Sequence, residues 1–291
     1  MAGPASASGP NLARMSEVPA QTGAFLPFTH LPGALDGGAL LLCDHASAAL
    51  PPEVGDLGLS PEHFTRHIAY DIGAAELTRA LAARIGAPAL LTTYSRLLID
   101  PNRGADDPTL VMRISDRALI PGNARIDDDE VARRKRQYWS PYRAAIDATT
   151  ARMCATGVVP ALISIHSFTP VWRDTPRPWQ VAALWDCDDR LAVPFVARLR
   201  AQGLNVGDNE PYDGALRGDT LFDHATLTGY AHLLIEVRQD LIATPSGVAE
   251  WAARLAPVLA DGLAAPHVHT ISHYPSRAAT PAALAILRET R

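Results

Sequence analysis

Cysteine, lysine and long apolar runs are scarce in this sequence, and each shortage narrows the class of protein. The three cysteines are widely spaced and form no CxxC pair, so we expect neither a disulfide framework nor a cysteine-based metal cluster. Lys135 is the only lysine among 26 cationic residues, no block of basic residues stands out, and the formal net charge is -5. This charge argues against a nucleic-acid-binding protein.

Signals for the membrane or for secretion are also missing. No apolar run approaches the roughly 18 residues that a membrane-spanning helix needs. The N-terminus lacks a basic segment followed by an apolar one, which is the pattern of a secretory signal peptide. We therefore expect a cytoplasmic protein that does not bind a membrane. Nothing in the composition indicates the oligomeric state.

The chain is predicted to consist of an arm, one domain and a tail. Residues 1–22 are rich in Ala, Gly, Pro and Ser without periodicity, which predicts a disordered N-terminal arm. Residues 23–265 alternate short apolar runs with helical patterns and predict a single α/β domain, with helices over 127–156, 189–202, 219–228 and 245–264. Residues 266–291 are a weakly patterned C-terminal tail, whose histidines are interpreted as surface residues.

Short apolar runs that end in polar side chains are the most informative pattern in the domain. Such runs are typical of parallel strands buried on both faces, and open α/β sheets bind ligands beyond the carboxyl ends of their strands. Three of these runs lead to His45, His166 and Glu236; they are Ala39–Cys43, Ala161–Ile165 and Ala231–Ile235. A further strand is predicted over 180–185.

Each of these polar positions also has a purely structural interpretation. His45, with Asp44 before it, would then cap a loop, and Glu236 would form an ion pair with Arg238 at the edge of the sheet. Histidines at the ends of two separate strands are a stronger indication than either alone, because neutral imidazoles are ordinary zinc ligands. A hydrolytic zinc needs about three protein ligands and a water molecule.

A fourth apolar run, over 87–93, leads into a segment that contains two arginines and an asparagine. A guanidinium grips a carboxylate at two points and asparagine adds neutral donors, so Arg96, Asn102 and Arg103 suit a carboxylate-binding site. The alternative is a local salt bridge between Asp100 and Arg103. Residues 97–99 are predicted to stay extended, and the polar stretch up to residue 123 is predicted to form a loop over the site.

One helix is predicted from Ser60 to Ile85, because the Ser-Pro-Glu sequence at its start supplies an N-cap, a proline at the first position and an acid in the first turn. On this helix His63, His67 and Asp71 would share one face. Asp71 has small apolar neighbours, so we expect it to be half-buried and to need a metal or an arginine as its partner. His63 is interpreted as part of a solvated face.

Five motifs together resemble the N-formylglutamate amidohydrolase family, and the resemblance covers about Leu40 to Ile242. The motifs are Asp44-His45-Ala46-Ser47, Ser95-Arg96 to Asn102-Arg103, Ile165-His166-Ser167-Phe168, Asn209-x-Pro211-Tyr212 and Ile235-Glu236-Val237-Arg238. The Arg-x-x-x-Asp-x-Asn-Arg run is also similar to that of the aspartoacylase and succinylglutamate desuccinylase group, and more remotely to zinc carboxypeptidases.

The resemblance implies a fold and an activity. The fold would be a three-layer α/β/α sandwich with a mixed central sheet, of the zinc-carboxypeptidase-like (phosphorylase/hydrolase-like) type. The activity would be zinc-dependent hydrolysis of a linear amide bond in a small N-acyl amino acid such as N-formyl-L-glutamate, with a place in histidine degradation.

Carried over position by position, the resemblance also implies residue roles. His45 and His166 would bind zinc, Glu236 would activate the water, and Arg96 would face the scissile carbonyl oxygen. Substrate binding would fall to the four residues Asn102, Arg103, Asn209 and Arg238.

The third zinc ligand is open at this stage. The carboxypeptidase-like groups place a glutamate three residues after the first histidine, and this chain has Ala48 there. We expect Asp71 to replace it, with Asp44 and His67 as alternatives.

Two other functions remain open. One is a related esterase or peptidase that uses the same zinc site on a different N-acyl amino acid or peptide. The other is a metal-free protein that binds small carboxylates, in which His45 and His166 are merely structural.

Overall fold

A computed structural model describes residues 25–278 of the chain, so the predicted arm and residues 279–291 of the predicted tail lie outside the described residues. The described part contains eleven strands, numbered along the chain: β1 (Phe28–Leu31), β2 (Ala39–Cys43), β3 (Ala89–Thr92), β4 (Ile114–Ser115), β5 (Ala118–Leu119), β6 (Ala161–Phe168), β7 (Val171–Trp172), β8 (Thr175–Pro176), β9 (Val181–Leu184), β10 (Val206–Asp208) and β11 (His232–Arg238).

Six α-helices and several shorter helical segments complete the described part. The α-helices are α1 (Ala74–Ile85), α2 (Pro121–Ala124), α3 (Asp128–Arg134), α4 (Ser140–Cys154), α5 (Ala192–Ala201) and α6 (Pro245–Leu263). Short 3₁₀ segments cover Pro52–Val54, Pro61–Thr65, Gln239–Leu241 and Pro266–His269, and π-helical turns cover Lys135–Trp139 and Phe222–Thr226. None of the helices in residues 25–278 has the length and apolar character to span a membrane.

A seven-stranded mixed sheet forms the centre of the molecule, in the order β1-β3-β2-β6-β11-β9-β10. Strands β3, β2, β6 and β11 run parallel, and β9 with β10 runs against them. Strands β4 with β5 and β7 with β8 form two small hairpins outside this sheet. The carboxyl ends of the four central parallel strands therefore lie at one edge of the sheet.

Helices cover both faces of the sheet, which confirms the predicted three-layer α/β/α arrangement with a mixed sheet. Leu41 and Cys43 of β2 point into a core formed with α1, α5 and α6, whereas Leu40 and Leu42 point into a core formed with α4. All five residues of β2 are buried. Burial on both faces explains why this strand is a continuous apolar run in the sequence.

The predicted helix from Ser60 to Ile85 is wrong in its first half, because α1 begins only at Ala74. Pro61–Thr65 is a short 3₁₀ segment that ends in extended backbone at Arg66. The residues between these two segments form turns that bury Ile68 and Ala69 in a separate apolar cluster. Tertiary packing here overrides the helix-start signal at Ser60.

The prediction that residues 97–99 stay extended is also wrong. Leu98 N–H donates to the Ser95 carbonyl oxygen at 2.9 Å, and Leu97 N–H donates to Ser95 Oγ at 3.2 Å. These two bonds close a turn, because a serine side chain can compete with a strand for backbone donors. The turn places Leu97 and Leu98 in different buried clusters.

The remaining predicted elements agree well with the structure. The long helix predicted over 127–156 is present as α3 and α4, which are joined by a π-helical turn. The predicted closing helix is α6, and the predicted strand over 180–185 is β9. Of the predicted tail, the described part packs onto the domain, since Val268 is fully buried in the main core.

Candidate active site

A cavity of about 430 Å³ opens at the carboxyl ends of the central parallel strands. His45 reaches it from the end of β2, His166 from β6 and Glu236 from β11. Arg96, Asn102 and Arg103, which follow β3, also line it. The sheet therefore brings side chains from four separate parts of the sequence into one cavity.

His45 and His166 present their Nδ1 atoms to the same carboxylate oxygen. Oδ2 of Asp71 lies 2.9 Å from Nδ1 of His166 and 3.4 Å from Nδ1 of His45. The two rings meet edge to face, with centroids 5.0 Å apart. All three residues are buried, and one ligand atom from each lies within 4.8 Å of the others.

The opposite edge of each imidazole is held by a second, fully buried carboxylate. Nε2 of His45 is 2.7 Å from Oδ1 of Asp100, and Nε2 of His166 is 3.1 Å from Oδ2 of Asp44. An ionised carboxylate can only accept hydrogen bonds, so we assign a proton to each Nε2. Burial lowers the pKa of His166, but Asp44 and Asp71 outweigh it and raise this pKa well above its usual range, so the ring is charged without a metal. When a ring loses its second proton to bind a metal, the lone pair lies on Nδ1. A carboxylate behind the ring is typical of histidines that bind a metal.

The three carboxylates around the imidazoles stay ionised although they are buried. Burial raises the pKa of Asp44, but the hydrogen bond and charge of His166 more than offset this and lower the pKa to about 2. For Asp100, the charge of Arg96 outweighs burial and holds the pKa well below its usual range. Burial also raises the pKa of Asp71, but His45 and His166 outweigh it and hold this pKa well below its usual range. The centre of the group is therefore attractive to a cation.

Asp71 reaches the group from a loop and not from a helix. Its N–H donates to the His45 carbonyl oxygen at 2.9 Å, and its Oδ2 accepts from the Ser167 N–H at 3.3 Å. Two residues later the chain passes close to Ile242: Gly73 has a φ of 78°, and a Cβ on it would lie 2.2 Å from the Ile242 carbonyl oxygen. Only glycine can adopt this φ so close to the Ile242 backbone, and this close contact fixes the path of the loop before α1.

Glu236 lies beside the group with an unpaired oxygen. It is directly opposite His166 in the parallel pair of β6 and β11, and its Oε2 has no hydrogen-bond partner within residues 25–278. Burial raises its pKa to about 7, although His166, His45 and Arg96 act in the other direction. A buried carboxyl group that titrates near neutral pH can take up and release a proton.

Arg96 is held at the edge of the group by two carboxylates. Its Nη2 donates to Oδ2 of Asp100 at 2.7 Å, and its Nη1 lies 3.6 Å from Oδ1 of Asp71. Within the described residues its buried Nε has no hydrogen-bond partner. The local pair between Asp100 and Arg103 is looser, with 3.9 Å between Nε and Oδ2.

Asn102 is oriented by a hydrogen bond from outside its own segment. Its Oδ1 accepts from the Thr220 N–H at 2.9 Å, so its amide nitrogen remains available as a donor. Arg103 lines the cavity next to it. The two side chains thus offer donors to a ligand in the cavity.

Asn209 and Arg238, which were predicted to bind substrate, do not line the cavity. Oδ1 of Asn209 accepts from the N–H groups of Trp185 and Gly214, at 2.9 and 3.1 Å, and so closes the loop that carries Tyr212 to the cavity. Arg238 makes two hydrogen bonds to Asp240, at 2.8 and 3.1 Å, and does not pair with Glu236.

Of the three alternatives for a third ligand, the structure brings Asp71 to the two histidines. Asp44 lies behind His166, on its Nε2 side. His67 lines the cavity farther out, where its Nε2 is 3.7 Å from Oδ2 of Asp116 and its ring meets that of Trp172. Asp116 belongs to the turn between β4 and β5, so the loop predicted to cover the site meets only its rim.

The residues His45, Asp71 and His166 could hold a metal ion. Two imidazole nitrogens and one carboxylate oxygen are a ligand set that zinc accepts, and they leave a position for water. The sequence did not indicate that Asp44 and Asp100 support the histidines. For Asp44, the position of a carboxylate directly after a strand is the signal that could have suggested it.

Comparisons with known proteins bear on the family and the fold of the chain. A family model described as N-formylglutamate amidohydrolase matches residues 38–243. The crystal structure of a gene product from Agrobacterium tumefaciens is 32% identical with a TM-score of 0.80, over 84% of this chain and 97% of that chain. An N-formylglutamate amidohydrolase from Ralstonia eutropha is 22% identical with a TM-score of 0.66, over 82% of this chain and 99% of that chain. A search of curated proteins finds no match.

The matched range covers most of the chain and contains both histidines, their carboxylate partners and Glu236. The fold is also shared with the two solved structures, as their TM-scores show. The resemblance inferred from the five sequence motifs is thus confirmed. The chain belongs to the N-formylglutamate amidohydrolase family and is a hydrolase that acts on amide bonds.

Proposed function

We propose that the protein is a zinc-dependent amidohydrolase that removes an N-acyl group, specifically N-formyl, from an acidic amino acid such as N-formyl-L-glutamate. One observation carries the proposal. The Nδ1 atoms of His45 and His166 face the carboxylate of Asp71, their other edges are held by carboxylates, and Glu236 lies beside them with an unpaired oxygen. Family membership supports the class of bond and substrate.

His45, Asp71 and His166 are the proposed zinc ligands. Their composition suits zinc, and Asp100 and Asp44 keep both imidazoles in the tautomer that leaves Nδ1 free to bind it. When bound there, zinc supplies a Lewis acid that polarises the acyl carbonyl group and lowers the pKa of water.

Glu236 is the proposed general base and acid. It takes a proton from the attacking water and then passes it to the nitrogen of the leaving amino acid. Its pKa of about 7 in the buried site suits both steps near neutral pH. Its position opposite His166 keeps the carboxylate beside the proposed ligands without making it one of them.

Arg96, Asn102 and Arg103 are proposed to bind the substrate. Arg96, with its unpaired Nε, is placed to stabilise the oxygen of the acyl group as negative charge develops on it. Asn102 and Arg103 would grip the α-carboxylate of the amino acid. For Asn209 and Arg238 we propose an indirect role, through the loop of Tyr212 and the turn after β11. A place in histidine degradation remains a prediction of the resemblance, and a cytoplasmic location remains a prediction of the sequence.

The variant E236Q tests the proposed chemistry. Zinc content should stay at the wild-type value, because Glu236 is not a proposed ligand, while kcat for N-formyl-L-glutamate should fall by about 10²- to 10⁴-fold. The exposed Glu250 provides the control E250Q, which should behave like wild type. Retention of activity by E236Q would exclude Glu236 as the base.

A substrate panel tests the proposed acyl group. Zinc-loaded wild type should hydrolyse N-formyl-L-glutamate faster than N-acetyl-L-glutamate, N-succinyl-L-glutamate or a glutamyl dipeptide. A clear preference for one of the other compounds would contradict the N-formyl assignment and leave the metallohydrolase assignment in place. Ligand binding without hydrolysis of any compound would favour the metal-free carboxylate-binding protein.

A further inference from the structure

Arg177 is a buried cation at the edge of the cavity. It follows the hairpin of β7 and β8, and only 7% of the residue is exposed. Its backbone N–H donates to the Pro170 carbonyl oxygen at 2.8 Å. Its Nη1 donates to Oγ1 of Thr169 at 3.0 Å. Thr169 lines the cavity, whereas Arg177 is not itself a lining residue, so the guanidinium lies directly behind the Thr169 side chain.

Three aromatic rings surround this guanidinium. Its central carbon lies 4.9 Å from the ring centroid of Tyr212, 5.4 Å from that of Trp172 and 5.9 Å from that of Phe168. Phe168 and Tyr212 line the cavity as well. The rings shield Arg177 from water and strengthen any charge interaction that it makes.

Arg177 differs from the other buried arginines in having no carboxylate partner within residues 25–278. Arg134 pairs with Glu130, Arg143 with Asp223 and Arg190 with Asp188. Buried charges in proteins are normally paired, because an unpaired one loses its hydration without compensation. Arg177 is the one buried arginine of the described residues without such a pair, and it contacts three residues that line the cavity. This position indicates that a ligand in the cavity supplies the missing negative charge.

The position of Arg177 complements that of Arg103. Arg103 follows β3, whereas Arg177 lies beside the end of β6, and β2 separates these two strands. Two strand spacings amount to about 10 Å. Long side chains that extend from both sides of such a gap can hold the two ends of a small dicarboxylate, with His45 at the end of β2 between them.

We infer that Arg177 binds the side-chain carboxylate of the substrate and is the residue that selects a dicarboxylic amino acid. This inference rests on the proposed function, because Arg103 and Asn102 are taken to bind the α-carboxylate of the same substrate. The alternative is that contacts with the three rings alone hold Arg177 and that its role is structural.

The variant R177M separates these two roles. It keeps an unbranched side chain among the rings but removes the charge and the donors. The measurement is kcat/KM of the zinc-loaded enzyme for N-formyl-L-glutamate and for N-formyl-L-glutamine, which keeps the α-carboxylate but has a neutral side chain of the same shape. The ratio of kcat/KM for N-formyl-L-glutamate to kcat/KM for N-formyl-L-glutamine should fall by about 10- to 100-fold in R177M. The fall should come from a higher KM for N-formyl-L-glutamate.

Two further variants complete the experiment. R173M is the matched control, because Arg173 is exposed on the same hairpin and also lies over Trp172, and its ratio should stay at the wild-type value. R177K keeps the charge without the planar fork, so it should give an intermediate ratio and serves as the test if R177M melts far below wild type. The affinities for L-glutamate and L-glutamine, the two amino acids without the acyl group, are measured by calorimetry. The preference for L-glutamate should be the same in wild type and R173M, intermediate in R177K and weakest in R177M.

The possible failures are distinguishable. A wild-type enzyme that hydrolyses N-formyl-L-glutamate, with a ratio unchanged in R177M and R177K, overturns the role of Arg177 and leaves the proposed function in place. Equal losses on both substrates assign Arg177 a structural role and also overturn the inference. A wild-type chain that hydrolyses neither compound contradicts the proposed function and the inference together.

Discussion

At the level of single residues, Asp100 positions three parts of the site with one carboxylate. Its Oδ1 accepts from Nε2 of His45 at 2.7 Å and from the N–H of Asn102 at 3.0 Å, and its Oδ2 accepts from Nη2 of Arg96 at 2.7 Å. It is fully buried, so no water can replace these bonds. The segment 96–103, which the sequence predicts to bind a carboxylate, therefore also positions the proposed zinc ligand His45.

The variant D100N should weaken zinc binding by about 10- to 100-fold, as expected when the partner of a metal-binding histidine is removed. An asparagine turns one of its two oxygens into an NH₂ group, which cannot accept from His45 or from Arg96. Zinc affinity is measured by competition with a chromophoric chelator. D116N is the control, since Asp116 also contacts an arginine and a histidine but only at the rim. Equal affinities in D100N and D116N would contradict the supporting role of Asp100.

Predictability from sequence differs between the residues of the site. His45, His166 and Glu236 were recognisable because each comes within two residues after an apolar run that forms a central strand. The roles of Asp44 and Asp100 were not, because they depend on side chains that meet across 122 and 55 residues of sequence. Arg177 was not predicted at all, since its proposed role depends on having no carboxylate partner within residues 25–278, which only the folded structure shows.

At the level of elements, the loop before α1 carries Asp71 to the site. The sequence predicts a helix here, with Asp71 on the same face as His63 and His67. Its position is instead set by the hydrogen bond to His45 and by the close passage of Gly73. Local helix signals could not reveal this, because the deciding contact, with Ile242, is remote in sequence.

The variant G73A should destabilise the protein and displace Asp71. Alanine is strained at a φ of 78°, and its Cβ would collide with the Ile242 carbonyl oxygen at 2.2 Å. G86A is a matched control, because Gly86 has a φ of 72° with nothing within 4 Å of the added Cβ. We expect a loss of about 1–2 kcal/mol in the free energy of unfolding for G86A and a larger loss for G73A.

Urea denaturation of the metal-free proteins gives these free energies, and zinc competition gives the effect on the site. Only G73A should also lower zinc affinity, since Gly86 lies at the far end of α1. Equal losses of stability and unchanged zinc affinity in both variants would show that the close contact between Gly73 and Ile242 does not determine the position of Asp71.

At the level of the whole molecule, one buried acid should make stability depend on pH. Burial raises the pKa of Asp219 from 3.8 to about 7, and its Oδ1 accepts from the Phe222 N–H. The folded state therefore binds this proton more tightly than the unfolded state. The resulting stabilisation is fully present below about pH 4 and is lost as the pH rises to about 7.

The variant D219N should remove this dependence, because its amide is neutral at every pH and keeps an oxygen for Phe222. From pH 5 to pH 8 the free energy of unfolding of D219N should rise relative to wild type, by at most about 3 kcal/mol. Urea denaturation at both pH values, with zinc removed, measures it. The exposed Asp106 supplies the control D106N, which should follow wild type over this range. A constant difference between D219N and wild type would show that Asp219 is ionised in the folded state throughout.

The fold as a whole was predictable as far as its strands and layers. Apolar runs of strand length and a series of helical patterns predict an α/β domain. The three-layer α/β/α arrangement with a mixed sheet was implied by the family resemblance, and that class is confirmed. No sequence pattern indicates the edge strands β1 and β10 or the reversed direction of β9. These features depend on pairing between distant segments, such as Phe28 with Thr92.

The most direct test of the account is the metal content of the purified protein, measured together with hydrolysis of N-formyl-L-glutamate before and after chelation. The account predicts about one zinc ion per chain, release of glutamate that chelation abolishes, and recovery when zinc is returned. The variants H45A and H166A should lose both the metal and the activity. Hydrolysis that persists in the metal-free protein, or a chain that binds no zinc, would contradict the assignment of His45, Asp71 and His166 as the metal site.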